Sequence, residues 1–167
     1  MSEKEQKVIG DRMNNDTTTS VNADVVEFAR LGWLTSLRWT VDLRNWATFT
    51  AVMEAIQGCN NFDPAAVAAT FGPLFGDAMH VEVGREASAV MYVSVPFSPR
   101  QRLRSDAGTG ERYTAEQRQE FAARVIAWAR SMRADEIGVR QYPPSAELGD
   151  VIGKPGPNPY RIRLWWD

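Results

Sequence analysis

The chain has 167 residues, 44% apolar and 24% charged, the make-up of a folded globular protein rather than of a disordered or membrane-spanning one. Nineteen basic against 21 acidic residues leave a net charge of −2, which excludes a surface that is basic throughout. One cysteine and one histidine exclude an intramolecular disulfide, a cysteine-cluster metal site and a multi-histidine metal site.

Residues 1–21 are polar, run through Asn14-Asn15-Asp16 and three threonines, and read as a flexible tail ahead of a single α+β domain over 22–167. They lack the apolar core of an export signal, and no apolar run reaches membrane length, so the expected location is the cytoplasm, away from the membrane. Asn22 or Asp24 can cap a short helix with Val25, Val26, Phe28, Ala29 and Leu31 on one stripe and Gly32 as its stop. From Leu37 the chain alternates: Leu37, Trp39, Val41 and Leu43 face one way, and Arg38, Thr40, Asp42 and Arg44 the other, the period of a half-buried strand.

Asn45 then caps a helix in which Trp46, Phe49, Val52, Met53 and Ile56 recur at intervals of three and four, closed by Gly58. Asp63-Pro64 supplies a cap and a first-turn proline for a second helix through Val67 and Phe71, with Gly72-Pro73 as its expected stop.

The densest run of strand formers, Met79 to Phe97, predicts a hairpin. In its first arm Met79, Val81 and Val83 share a face. In its second, Ala87, Ala89, Met91, Val93 and Val95 oppose Ser88, Val90, Tyr92 and Ser94. An odd loop, Gly84-Arg85-Glu86, sets Val83 against Ala87 and joins the two more apolar faces, whereas an even loop would flip every partner.

Residues 98–113 hold Arg100, Arg102, Arg104 and Arg112 without apolar period, an arginine-rich loop. Thr114 with Gln117 has the form of a capping box, opening a long helix with Phe121, Val125, Trp128 and Met132 on one face. Glu136 to Tyr142 reads as a strand with Ile137 and Val139 inward, 143–159 as a proline-rich connection, and Tyr160 to Asp167 as a terminal alternating strand. The expected fold is α+β: an antiparallel or mixed sheet of about four or five strands with helices on one face, its order containing the βαββαβ of a ferredoxin-like sandwich with extra helices. The expected core joins Leu37, Trp39, Val41, Trp46, Val81, Val83, Met91, Val93, Phe121, Val125 and Trp128.

No motif specifies a reaction, and no cofactor or metal is implied. His80 is the one candidate general base, and its strand position turns it away from the core. Cys59 follows a helix C-terminus, which does not lower a thiol pKa. The run from Ala107 to Arg112 lacks the strand and the Lys-Ser/Thr that a phosphate loop needs. The candidate surface is the sheet's other face, with Arg38, His80, Tyr92, Arg161, Arg163 and Trp165, together with Arg100, Arg102 and Arg104 of the loop. Three readings follow. The first is a small non-enzymatic protein-binding module, of inhibitor, immunity or regulatory type, with an acidic protein partner. The second is a single-stranded nucleic-acid binder, with bases stacked on the rings and guanidinium groups on phosphates. The third is an enzyme using His80 as base.

Overall fold

The computed structural model describes residues 20–35, 38–78, 80–96, 113–141 and 159–167. In chain order the elements are α1 (Ala23–Trp33), β1 (Trp39–Leu43), α2 (Trp46–Ala55), α3 (Pro64–Thr70), α4 (Gly72–Asp77), β2 (His80–Glu86), β3 (Ser88–Ser94), α5 (Ala115–Ser131), β4 (Glu136–Gln141) and β5 (Pro159–Trp166). The tail over residues 1–19, the arginine loop up to 112 and the proline-rich connection up to 158 lie outside the described residues, as do Leu37 and Tyr142.

The caps form where side-chain chemistry favours them. Asn22 accepts from the Val25 amide, Asn45 from Thr48, and Asp63 from both Ala65 and Ala66. At α5 both halves of the capping box between Thr114 and Gln117 are present. Two glycines read as stops behave differently. Gly32 stays inside α1, because its bare backbone lies against the Trp39 ring: a Cβ there would approach it to 2.9 Å. Gly72-Pro73 ends α3 but starts α4, with the proline in the first turn, where its missing N–H costs nothing.

Five antiparallel strands form one sheet in the order β1-β2-β3-β5-β4, so the fold is α+β. β3, α5 and β4 form a split βαβ unit: β3 and β4 both run antiparallel to the intervening β5. The first half differs, since β1 and β2 are direct antiparallel neighbours despite the three helices between them. In the hairpin Val83 lies opposite Met91, not Ala87, because the turn sits at Ala87, whose φ of 66° is left-handed, while Gly84-Arg85-Glu86 continue the strand. The parity is still odd, so the apolar faces meet as expected.

Val41, Leu43, Val81, Val83, Met91, Val93, Ile162, Leu164 and Trp166 of the sheet meet Phe49, Val52, Phe71, Phe121 and Val125 of the helices in one buried cluster. Ring contacts run through it from Trp33 to Phe62, Trp166, Trp128, Phe71 and Phe49. Trp46 departs from the expected core. It sits at the first helical position, stacks on Phe49 at 5.0 Å, and remains 37% exposed. Trp128 is half-buried, with its indole N–H donated to Thr70 across α3 and α5. Phe28 and Leu31 of α1 are exposed, and Ala29 and Trp33 make its buried contact instead.

Gly84 marks a close approach between β1 and β2. A Cβ at this position would collide with the Trp39 carbonyl and the Thr40 backbone of the neighbouring β1. Gly84→Ala should therefore lower stability by about 2 kcal/mol or more through strand separation. Gly76→Ala, in α4 with nothing within 4 Å, should be neutral or stabilising by about 0.5–1 kcal/mol. Urea denaturation of both variants checks this; equal midpoints would contradict the close β1–β2 approach.

Candidate functional site

The sheet face away from the core carries Thr40 and Asp42 of β1, His80, Glu82 and Glu86 of β2, Val90 and Tyr92 of β3, Arg161, Arg163 and Trp165 of β5, and Glu136 and Arg140 of β4. Antiparallel register makes them lateral neighbours: Tyr92 stands between Glu82 and Arg163, and Arg161 stands opposite Arg140. Of the helices, α3 turns Val67 into the core cluster and leaves this face alone.

Charges on the face are joined into a network. Arg38, just before β1, donates to Glu86 Oε1 at 2.7 Å, and the Tyr92 hydroxyl donates to the same oxygen at 2.7 Å. Arg163 reaches Glu86 Oε2 at 3.4 Å and Glu136 at 3.1 Å, while Arg161 donates to Glu82 at 2.9 Å. Arg161 also lies over the Tyr92 ring, 4.1 Å from its centroid, and Arg163 is 5.7 Å from that of Trp165. Glu86 links Arg38, Tyr92 and Arg163 and is only 14% exposed. Burial alone would raise its carboxyl, but the Tyr92 hydroxyl and the two guanidinium groups outweigh burial and hold it below the usual carboxylate range. Burial and the Glu86 carboxylate push the Tyr92 phenol up.

His80 has Nε2 2.5 Å from Asp42 Oδ1, without the alignment of a hydrogen bond, and Nδ1 3.8 Å from Glu82. Both nitrogens thus face carboxylates, and no hydroxyl or thiol among the described residues bonds to either. Arg140 is exposed and forms no ion pair among the described residues. A shallow groove of about 400 Å³ lies on the face, lined by Arg38, Thr40, Glu82, Glu86, Tyr92, Arg140 and Arg161.

The structure therefore brings together six of the residues singled out from sequence, Arg38, His80, Tyr92, Arg161, Arg163 and Trp165. Arg100, Arg102 and Arg104 lie outside the described residues. Glu86, Glu136 and Arg140 were missed. Glu136 and Arg140 fall on a strand readable from sequence, whereas Glu86 reads there as a loop residue, and the partners of all three follow only from the register of β4 and β5 and from the turn at Ala87. Cys59 is half-buried and closes a bridge with Phe62. Among the described residues no group of three His, Cys, Asp or Glu side chains could hold a metal ion, and no helix is long and apolar enough to cross a membrane. No protein-family model, curated protein or solved structure matches the chain.

Because the Glu86 carboxyl is depressed in the folded state, its ion pairs stabilise the fold above the ordinary carboxylate pKa of about 4.3, and that stability is lost as pH falls from there through the depressed value. Glu86→Gln should melt below the parent at pH 7, with the gap closing as pH drops under about 4.3. Melting curves from pH 7 to pH 3 measure it, and a gap independent of pH would contradict the network.

Proposed function

We propose that this chain is a small non-enzymatic protein-binding module, of inhibitor, immunity or regulatory type, that contacts an acidic protein partner through its outer sheet face. The observation that carries this reading is the pairing of that face with itself. Arg38, Arg161 and Arg163 each meet a carboxylate, and the Tyr92 ring is covered by Arg161. A single-stranded nucleic-acid platform requires open rings for bases and uncommitted guanidinium groups for phosphates. Enzymatic use of His80 requires a nitrogen presented to substrate or nucleophile, whereas both of its nitrogens are turned to Asp42 and Glu82. A charge-patterned surface with arginine and aromatic side chains suits a protein interface, where complementary charge sets specificity. On this reading Arg100, Arg102 and Arg104 add a second cationic contact.

Thr40 is exposed in the groove and joins no ion pair, so Thr40→Trp adds uncharged bulk without supplying a rival cation to the network. In affinity capture from the native host, with nuclease treatment, the parent should retain a protein partner that Thr40→Trp loses at unchanged melting temperature. Replacing Arg100, Arg102 and Arg104 with Ala should weaken the same capture. Binding to an oligothymidylate with steep salt dependence, and no nuclease-resistant partner, would favour the nucleic-acid reading instead.

A further inference from the structure

We infer that Arg140 and Arg161 together form a carboxylate-binding site, which receives an acidic side chain of the protein partner. The inference rests on the reading of the outer face as a protein interface and gives its groove a defined chemistry. Arg140 and Arg161 stand directly opposite each other on β4 and β5. Like charges in that relation destabilise a sheet unless a counter-charge relieves them.

Arg161 has its counter-charge in Glu82, but Arg140 has none among the described residues. Arg161 Nε is buried without a hydrogen-bond acceptor, so Glu82 does not satisfy Arg161 completely, and the accessible donors of the pair are those of Arg140. The ladder shifts register between Arg140 and Gln141, a bulge of the kind that re-aims a side chain. Both arginines line the groove, whose walls carry three arginines against two glutamates, one uncompensated positive charge.

That balance selects the ligand. A carboxylate brings one negative charge and two oxygens that match the guanidinium fork. A phosphate dianion would bring excess charge against Glu82 and Glu86 in the same groove.

The probe is acetyl-glutamate amide, which carries one carboxylate, compared with acetyl-glutamine amide, inorganic phosphate and an oligothymidylate. The readout is the Nε–Hε NMR signals of Arg140 and Arg161 in the full chain. Acetyl-glutamate amide should give saturable shifts at both signals, at least about tenfold stronger in apparent affinity than the glutamine analogue. Arg140→Gln should abolish the Arg161 shift with a melting temperature no lower than the parent's, and Arg140→Lys should weaken it, because the fork is lost while the charge stays. Absence of a saturable shift, an Arg161 shift that survives Arg140→Gln, or tighter binding of phosphate or oligothymidylate would overturn the inference. If Arg140→Gln leaves partner capture intact while Thr40→Trp abolishes it, the interface reading stands and the carboxylate site falls. If neither variant changes capture, the interface reading itself fails.

Discussion

Glu86 sets the character of the outer face. It ends β2, and its two oxygens collect Arg38 from the approach to β1, the Tyr92 hydroxyl from β3 and Arg163 from β5, which binds Glu136 of β4 in turn. One carboxylate thus holds side chains from across the sheet. A partly buried charge of this kind costs desolvation, and removing it would leave Arg38 without its ion pair and Arg163 with Glu136 alone. Tyr92 is fixed twice, through its hydroxyl to Glu86 and through its ring under Arg161. What remains for a visitor is the groove above the network and, among the described residues of the face, the arginine that the network leaves out, Arg140.

The inner face follows a different rule. Alternation along each strand sends valine, leucine, methionine and tryptophan to the helices, and a line of touching rings from Trp33 to Phe49 fills the space between layers. Close approach is obtained by omission of side chains: Gly84 lets β1 lie against β2, and Gly32 lets α1 lie on Trp39. The eight-residue strand Pro159–Trp166 enters between β3 and β4, and its pairings with both are long-range in sequence.

Much of this was legible in the residues because it is local. The alternation from Trp39 to Leu43, the caps at Asn45 and Asp63 and the capping box at Thr114 are decided within a few positions, and the structure has them where the side-chain chemistry places them. The face shared by Arg38, His80, Tyr92, Arg161, Arg163 and Trp165 was legible too, since parity alone assigns it. Gly32 and Gly72 were not, because a glycine marks a stop, a start or a close approach depending on what packs beside it. The turn at Ala87 was hidden because alanine seldom takes a positive φ. The ion pairs were the least legible. A list of arginines and tyrosines suggests an open cationic platform, and only the register across five strands reveals that Glu82, Glu86 and Glu136 already occupy most of it.

The central claim is that the outer face is a coupled network organised by Glu86 rather than a set of independent surface charges. A double-mutant cycle between Tyr92→Phe and Arg163→Gln tests it most directly, because both groups meet the same carboxylate. Measured by urea denaturation at pH 7, the two substitutions should show a coupling energy of about 0.5 kcal/mol or more. Additive effects, with coupling indistinguishable from zero, would contradict the account and return these side chains to the ordinary surface.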